Sequence, residues 1–170
     1  MRVPDLPANE DFRVAALRAL FILDTQAEER FERLTRTAVY VLDVPIALVS
    51  LIDSDRQWFK SQVGFAAQET ARDISFCGHA ILEQGSFIVE DARQDIRFAD
   101  NPLVTGDPDI RFYAGVPLHD ASGLVMGTLC AVDREPRRLS STQEAMLRDI
   151  AAMAERELQI VRCWGVSATR

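Results

Sequence analysis

Ile110-Arg-Phe-Tyr-Ala-Gly-Val-Pro-Leu-His-Asp-Ala-Ser-Gly-Leu-Val-Met-Gly-Thr-Leu-Cys-Ala-Val-Asp133 is the stretch whose reading decides the fold. Two apolar runs rich in β-branched and aromatic residues flank four turn formers, Asp120-Ala-Ser-Gly123, and this is the pattern of a β-hairpin. Phe112, Ala114, Val116 and Leu118 share one face of the first strand. Leu124, Met126, Thr128, Cys130 and Val132 line one face of its partner. The opposite faces carry Tyr113, Gly115 and Pro117, then Val125, Gly127, Leu129 and Ala131. Neither face is polar, so both must be covered by other elements. Pro117 donates no hydrogen bond, which predicts a bulge or a free edge beside it.

Working outward, Ile46–Asp53 is a second apolar run of strand length, apolar on both faces. A turn at Asp53-Ser-Asp-Arg56 leads to a partner strand over 57–63, with Trp58 and Phe59 on opposite faces. Upstream, Asn9 is placed to cap a short helix whose positions Phe12, Ala16, Leu17, Leu20 and Phe21 recur at helical spacing. Thr25-Gln-Ala-Glu28 has the spacing of a capping box and opens a helix over 26–42, with a stripe of Ala27, Phe31, Leu34, Ala38, Val41 and Leu42. The middle, residues 64–109, is irregular, with a short helix over 76–82 and a short strand over 87–90. Its turn-rich part, residues 91–109, contains Phe98, Pro102, Leu103 and Val104 and is read as an ordered cap.

The last helix opens at Ser141-Thr-Gln-Glu144, a further capping-box spacing. It carries one stripe of Leu147, Ala151, Ala154, Leu158 and Val161 and a second of Met146, Ile150, Met153 and Ile160. At the usual rise it is about 33 Å long. One stripe can cover the sheet while the other meets a partner helix, which predicts a parallel homodimer through the terminal helices; the alternative is that both stripes cover the domain's own core. Short links between strands imply an antiparallel sheet. The fold class is therefore α+β: a central antiparallel sheet of five or six strands, terminal helices on one face and an irregular cap with short helices on the other.

Length and composition set outer limits. A chain of 170 residues that is 48% apolar and 26% charged is read as one domain over 1–170, with its core at about 9–162. A formal net charge of -7 without clustered Lys or Arg argues against nucleic acid or an anionic membrane as partner. The first residues lack an apolar segment of signal-peptide length, and the longest apolar run falls short of a membrane span. Cys77, Cys130 and Cys163 are odd in number and without a C-x-x-C pair, which suits a reducing compartment. A cytoplasmic location is expected.

With these blocks in hand the sequence resembles the GAF domain family of small-molecule sensors, in particular the members at the amino end of bacterial histidine kinases and diguanylate cyclases. The resemblance rests on Ile22-Leu-Asp-Thr25, Pro45-Ile-Ala-Leu-Val-Ser-Leu-Ile-Asp53, Arg56-Gln-Trp-Phe-Lys-Ser61 and Ser75-Phe-Cys-Gly-His-Ala-Ile81. It continues through Phe98-Ala-Asp-Asn-Pro-Leu-Val104, Arg111-Phe-Tyr-Ala-Gly-Val-Pro-Leu118 and Gly127-Thr-Leu-Cys-Ala-Val-Asp133. It implies a sensory or regulatory domain in signal transduction, with an unidentified small molecule held between sheet and cap and a histidine kinase or diguanylate cyclase as output. Fold alone does not transfer function. The Asn-Lys, Phe, Asp-Glu signature of cyclic-nucleotide binders is not found here, and Gly78 separates Cys77 from His79 where bilin binders have an adjacent pair.

The segments that surround the ligand in the family bring Trp58, Phe76, Cys77, His79, Phe98, Arg111 and Tyr113 as ligand-binding candidates. Arg111 favours an anionic ligand, with pairing to a loop aspartate as the alternative. Catalytic and metal-ligating sets are not expected. Cys77 and His79 stand about 200° apart around a helix, and paired zinc spacing is missing. No kinase, cyclase or hydrolase signature is visible, so the chain is expected not to be an enzyme. Two rivals stand beside this reading. One is a redox enzyme like the free methionine sulfoxide reductases, using Cys77, although the loop over 95–101 lacks their further cysteine. The other is a ligand-free dimerisation module.

Overall fold

The structure, a computed structural model, describes the backbone of residues 1–165 and the side chains of residues 1–160, so the side chains of Val161 and Cys163 lie outside the described residues. Helices α1 (Glu10–Arg18) and α2 (Glu29–Leu42) precede strands β1 (Ile46–Ile52), β2 (Arg56–Val63) and β3 (Glu69–Ala71). A 3-10 turn over Arg72–Ile74 leads into α3 (Phe76–Ala80), β4 (Phe87–Val89) and α4 (Pro102–Thr105). The hairpin β5 (Phe112–His119) and β6 (Val125–Asp133) follows, and α5 (Ser141–Gly165) closes the chain. The six strands form one antiparallel sheet in the order β3-β2-β1-β6-β5-β4. Among the described residues no helix is long and apolar enough to cross a membrane.

The expected α+β architecture is present, and the sheet separates two cores. On the helix side, Leu17, Phe31, Leu34, Ala38 and Leu42 of α1 and α2, with Leu147, Ile150, Ala151, Ala154 and Leu158 of α5, pack on Ala47, Val49, Leu51, Trp58, Phe112 and Ala114. On the cap side, Phe76, Cys77, Ala80, Phe98 and Val104 pack on Ile46, Leu48, Ile52, Phe59, Tyr113, Cys130 and Val132. Every residue of β1 is buried because both of its faces are covered. At Gly127 the backbone of β1 comes so close that a β-carbon would lie 1.8 Å from the Ser50 carbonyl oxygen. Pro117 sits on a free edge, since β4 pairs only with Tyr113, Ala114 and Gly115.

Several local expectations are corrected. Of the expected stripe Leu17 and Leu20 are buried, but Phe12 and Phe21 are 74% and 84% exposed, and α1 buries Arg13 and Val14 besides. Arg13 turns inward because its Nη1 donates to the Ile52 carbonyl at 2.6 Å while Nε and Nη2 grip Glu10 at 2.8 Å each. Asn9 makes no side-chain cap. The box at Thr25 and Glu28 does not form, so α2 begins at Glu29. Both halves are used by Lys60, whose Nζ reaches Thr25 Oγ1 at 2.8 Å, the Gln26 carbonyl at 2.7 Å and Glu28 Oε1 at 2.7 Å.

Lys60 faces the helices, as alternation from Trp58 requires, and a β-bulge here keeps Ser61 on that same side, where its hydroxyl meets Thr35. The register steps from Val49 opposite Ser61 to Ser50 opposite Phe59. A second shift, at Leu118/His119, leaves Met126 without a partner in β5 and reverses the facing of the start of β6. Leu124 and Met126 consequently pack on the helix side, while Thr128, Cys130 and Val132 keep the opposite facing; grouping all five on one face was wrong.

The cap of α5 lies one residue earlier than its spacing suggested. Gln143 N–H donates to Ser140 Oγ at 3.1 Å, and Ser140 N–H donates to Gln143 Oε1 at 3.0 Å. Ile150 belongs to the core. Met146, Met153 and Ile160, seven residues apart, remain 41%, 54% and 45% exposed.

Candidate functional site

The centre of the cap-side core is polar. Facing away from the helices, the strands present Ser50 and Gln57, which bond to each other at 3.0 Å, together with Thr128 and Tyr113, all buried. Cys130 on β6 and Cys77 in the first turn of α3 meet at a sulfur–sulfur distance of 3.8 Å, and the Tyr113 hydroxyl donates to Cys77 Sγ at 3.2 Å. Ser75 fixes Cys77, since its hydroxyl donates to the Arg72 carbonyl at 2.7 Å and accepts the Gly78 N–H at 3.0 Å. Thr128 Oγ1 is buried without a partner of standard hydrogen-bond geometry among the described residues.

These surroundings separate the two thiols. Burial raises the pKa of Cys77, but contacts from Cys130, Thr128, Tyr113 and Ser50 outweigh it and bring the thiol down to about 7. Cys130 is pushed well up by its hydrogen bond with Cys77 and by burial. The two shifts belong to one close pair, in which a charge on either sulfur disfavours a second. Tyr113 is also pushed up, by burial and then by the neighbouring sulfurs, and keeps its proton as a donor.

An aromatic wall surrounds this centre. Phe76 stacks on Phe98 with ring centroids 4.0 Å apart and lies 5.3 Å from Tyr113. His79 meets Phe98 edge-on at 4.9 Å. Its Nε2 lies 3.0 Å from the Arg2 carbonyl, and burial lowers its pKa, so the neutral ring ties the amino-terminal segment to α3.

Of the candidates from sequence, Phe76, Cys77 and Tyr113 border a cavity of ≈ 20 Å³ beneath the cap, together with Gln57, Leu103 and Cys130. Phe98 and His79 stand behind that wall. Trp58 is on the other side of the sheet, in the helix-side core. Arg111 spends its guanidinium on the Val104 and Ile110 carbonyls at 2.8 and 3.1 Å, with Asp109 at 3.7 Å, and does not line the cavity. The cavity is large enough for a water-sized molecule, the threshold being about 10–15 Å³. A metabolite pocket takes roughly 300–1,000 Å³. Sequence reasoning passed over Ser50, Gln57 and Thr128; the available signal was a polar residue at the centre of the otherwise apolar run of β1.

Residues 26–158 match the family model described as GAF domain. A cyclic di-GMP phosphodiesterase of Pseudomonas aeruginosa is 44% identical over 163 residues, covering 95% of this chain and 28% of that protein. The chain thus spans little more than a quarter of that curated relative. Among solved structures, the GAF domain of an Acinetobacter phosphoenolpyruvate-protein phosphotransferase superposes with a TM-score of 0.64 at 16% identity, covering 91% of this chain and 97% of that one. A free methionine-R-sulfoxide reductase from Neisseria meningitidis, in complex with its substrate, also gives 0.64 at 16% identity, covering 97% and 99%. At such identity these two show the fold alone. The expectation that the chain is not an enzyme is corrected by this relative, a named phosphodiesterase at 44% identity, of which the chain spans 28%.

Proposed function

Because this chain belongs to the GAF domain family, we propose that it is the regulatory input unit of a signalling protein that governs the turnover of cyclic di-GMP through an attached output domain. The observation that carries this reading is the match of 95% of the chain to 28% of a cyclic di-GMP phosphodiesterase, which leaves most of that protein for the remaining work. Residues 1–170 act as one domain, and a small molecule is sensed between sheet and cap, against Phe76, Cys77 and Tyr113. At ≈ 20 Å³ the cavity admits a metabolite only when the segment carrying Leu103, Pro108 and Ile110 swings outward. Ligand binding and cap opening are then one event, and the ligand shifts the domain by its preference for the open state. Assembly is by a second copy along α5, where Met146, Met153 and Ile160 form an exposed stripe of seven-residue period.

The test is a chimera in which this chain replaces the matching segment of the Pseudomonas phosphodiesterase. Hydrolysis of cyclic di-GMP should persist within a few-fold of the parent, and deletion of the segment should change its rate. Equal rates with the segment present, deleted or replaced by an unrelated folded domain would refute a regulatory role.

A further inference from the structure

We propose that Cys77 and Cys130 form a peroxide-responsive thiol pair, oxidised by hydrogen peroxide to a disulfide that joins α3 to β6. This goes beyond ligand sensing and requires neither a metabolite nor an output domain. The sulfurs are 3.8 Å apart and buried, and they need to close by just under about 2 Å to reach the bond length of about 2.05 Å. One partner rides on a five-residue helix beside a cap loop, the other on a central strand, so α3 supplies the movement. Both sulfurs touch the ≈ 20 Å³ cavity, which suits an oxidant little larger than water and keeps out bulky disulfides.

Two packed thiols would require no polar company, yet Tyr113 donates to Cys77 and the Thr128 hydroxyl, without a partner among the described residues, is buried beside the pair. Such donors stabilise a thiolate, the nucleophilic form, and a sulfenic acid after it. The lowered pKa of Cys77 and the raised pKa of Cys130 agree with Cys77 as the attacking sulfur.

The Cys77 thiolate attacks one peroxide oxygen, and the O–O bond breaks. Hydroxide leaves and takes up the proton that Cys77 released, becoming water, and Cys77 becomes a sulfenic acid. Cys130 then attacks Cys77 Sγ. The S–O bond breaks, a second water departs with the Cys130 proton, and the S–S bond forms. Two thiols lose two electrons to one peroxide, and two waters are produced.

The experiment uses the folded 170-residue chain carrying Cys163→Ser, reduced and then treated with stoichiometric hydrogen peroxide. Intact mass should fall by two hydrogen atoms, and peptide mapping should find Cys77 linked to Cys130, reversibly with dithiothreitol. In Cys130→Ser treated with peroxide and then unfolded in the presence of dimedone, the label should fall on Cys77. In Tyr113→Phe, oxidation should slow by roughly two- to tenfold, the equivalent of one lost hydrogen bond. The crosslink is read on unaltered Cys77, Tyr113 and Cys130, so it stands whether or not the variants fold. Peroxide in excess that leaves both thiols free for alkylation on unfolding, or dimedone found on Cys130 in Cys77→Ser at the parent rate, would overturn the proposal. A disulfide that forms while the chimera's hydrolysis stays unregulated would separate this inference from the regulatory reading.

Discussion

The ring of Tyr113 lies across Gly115, two residues further along the same face of β5, so that a β-carbon on Gly115 would meet the Tyr113 hydroxyl oxygen at 2.2 Å and the ring carbon bearing it at 2.7 Å. The glycine is the floor on which the phenol rests while it reaches Cys77. Its backbone angle is ordinary, and the requirement is one of space alone.

Gly115→Ala should therefore destabilise the domain by about 1–3 kcal/mol, the range for overpacking a core, as read by urea unfolding. Combining it with Tyr113→Phe should recover part of that loss, because the nearest clash is with the oxygen. An unaltered midpoint in Gly115→Ala would show that the ring moves aside without cost.

Glu10 is held by Arg13 and Arg72, two guanidiniums that are themselves almost fully buried. Burial raises its pKa, but hydrogen bonds from Arg13 and then Arg72 outweigh this and lower it from 4.5 to about 2. A folded-state pKa below the unfolded one contributes stability that is full above the unfolded value and is lost as acid titrates the folded carboxylate. Glu10→Gln should cost about 3 kcal/mol near neutral pH, since it leaves buried cations without their counter-charge. The gap between the two proteins' unfolding free energies should narrow as pH falls from 4.5 towards 2. A gap independent of pH would assign the loss to packing.

The stripe of Met146, Met153 and Ile160 predicts self-association that Met153→Lys abolishes. Leu147, Ala151, Ala154 and Leu158 are already spent on the domain's own core. Light scattering at micromolar concentration should report a dimer for the parent chain and a monomer for the variant, with unchanged helical circular dichroism. A parent chain that stays monomeric over a hundredfold range of concentration would remove the second copy from the proposal.

Ser140→Ala should remove one half of the reciprocal cap on α5 and cost about 1 kcal/mol in urea unfolding. Ser141→Ala, at the position its spacing first suggested, should cost much less. Equal losses would mean that the cap as described does not carry the helix start.

Legibility from sequence followed the strength of the local signal. Both hairpins, the two-faced burial of β1 and the covering of the sheet by α2 and α5 were readable because long apolar runs admit few arrangements. The facing of α1 was not, because Arg13 reads as a solvent residue and its burial depends on the Ile52 carbonyl, far away in the chain. The β-bulge at Lys60 was equally hidden, whereas the shift at Leu118/His119 lies beside Pro117, where a bulge or a free edge is expected. A period of two gives no sign of an extra residue, and one extra residue reverses every position beyond it. At the candidate site the aromatic and cysteine members stood out, while Ser50, Gln57 and Thr128 were lost among apolar neighbours. Trp58 and Arg111 were drawn in by their size and charge, though the fold directs them elsewhere.

Phe112 and Tyr113 are consecutive, yet the first belongs to the helix-side core and the second to the cap-side core. A single peptide unit of β5 is thus all that separates the sulfur cluster from the packing beneath α5. A change that pulls the phenol away from Cys77 is therefore expected to register at Phe112 as well, on the far side of the sheet.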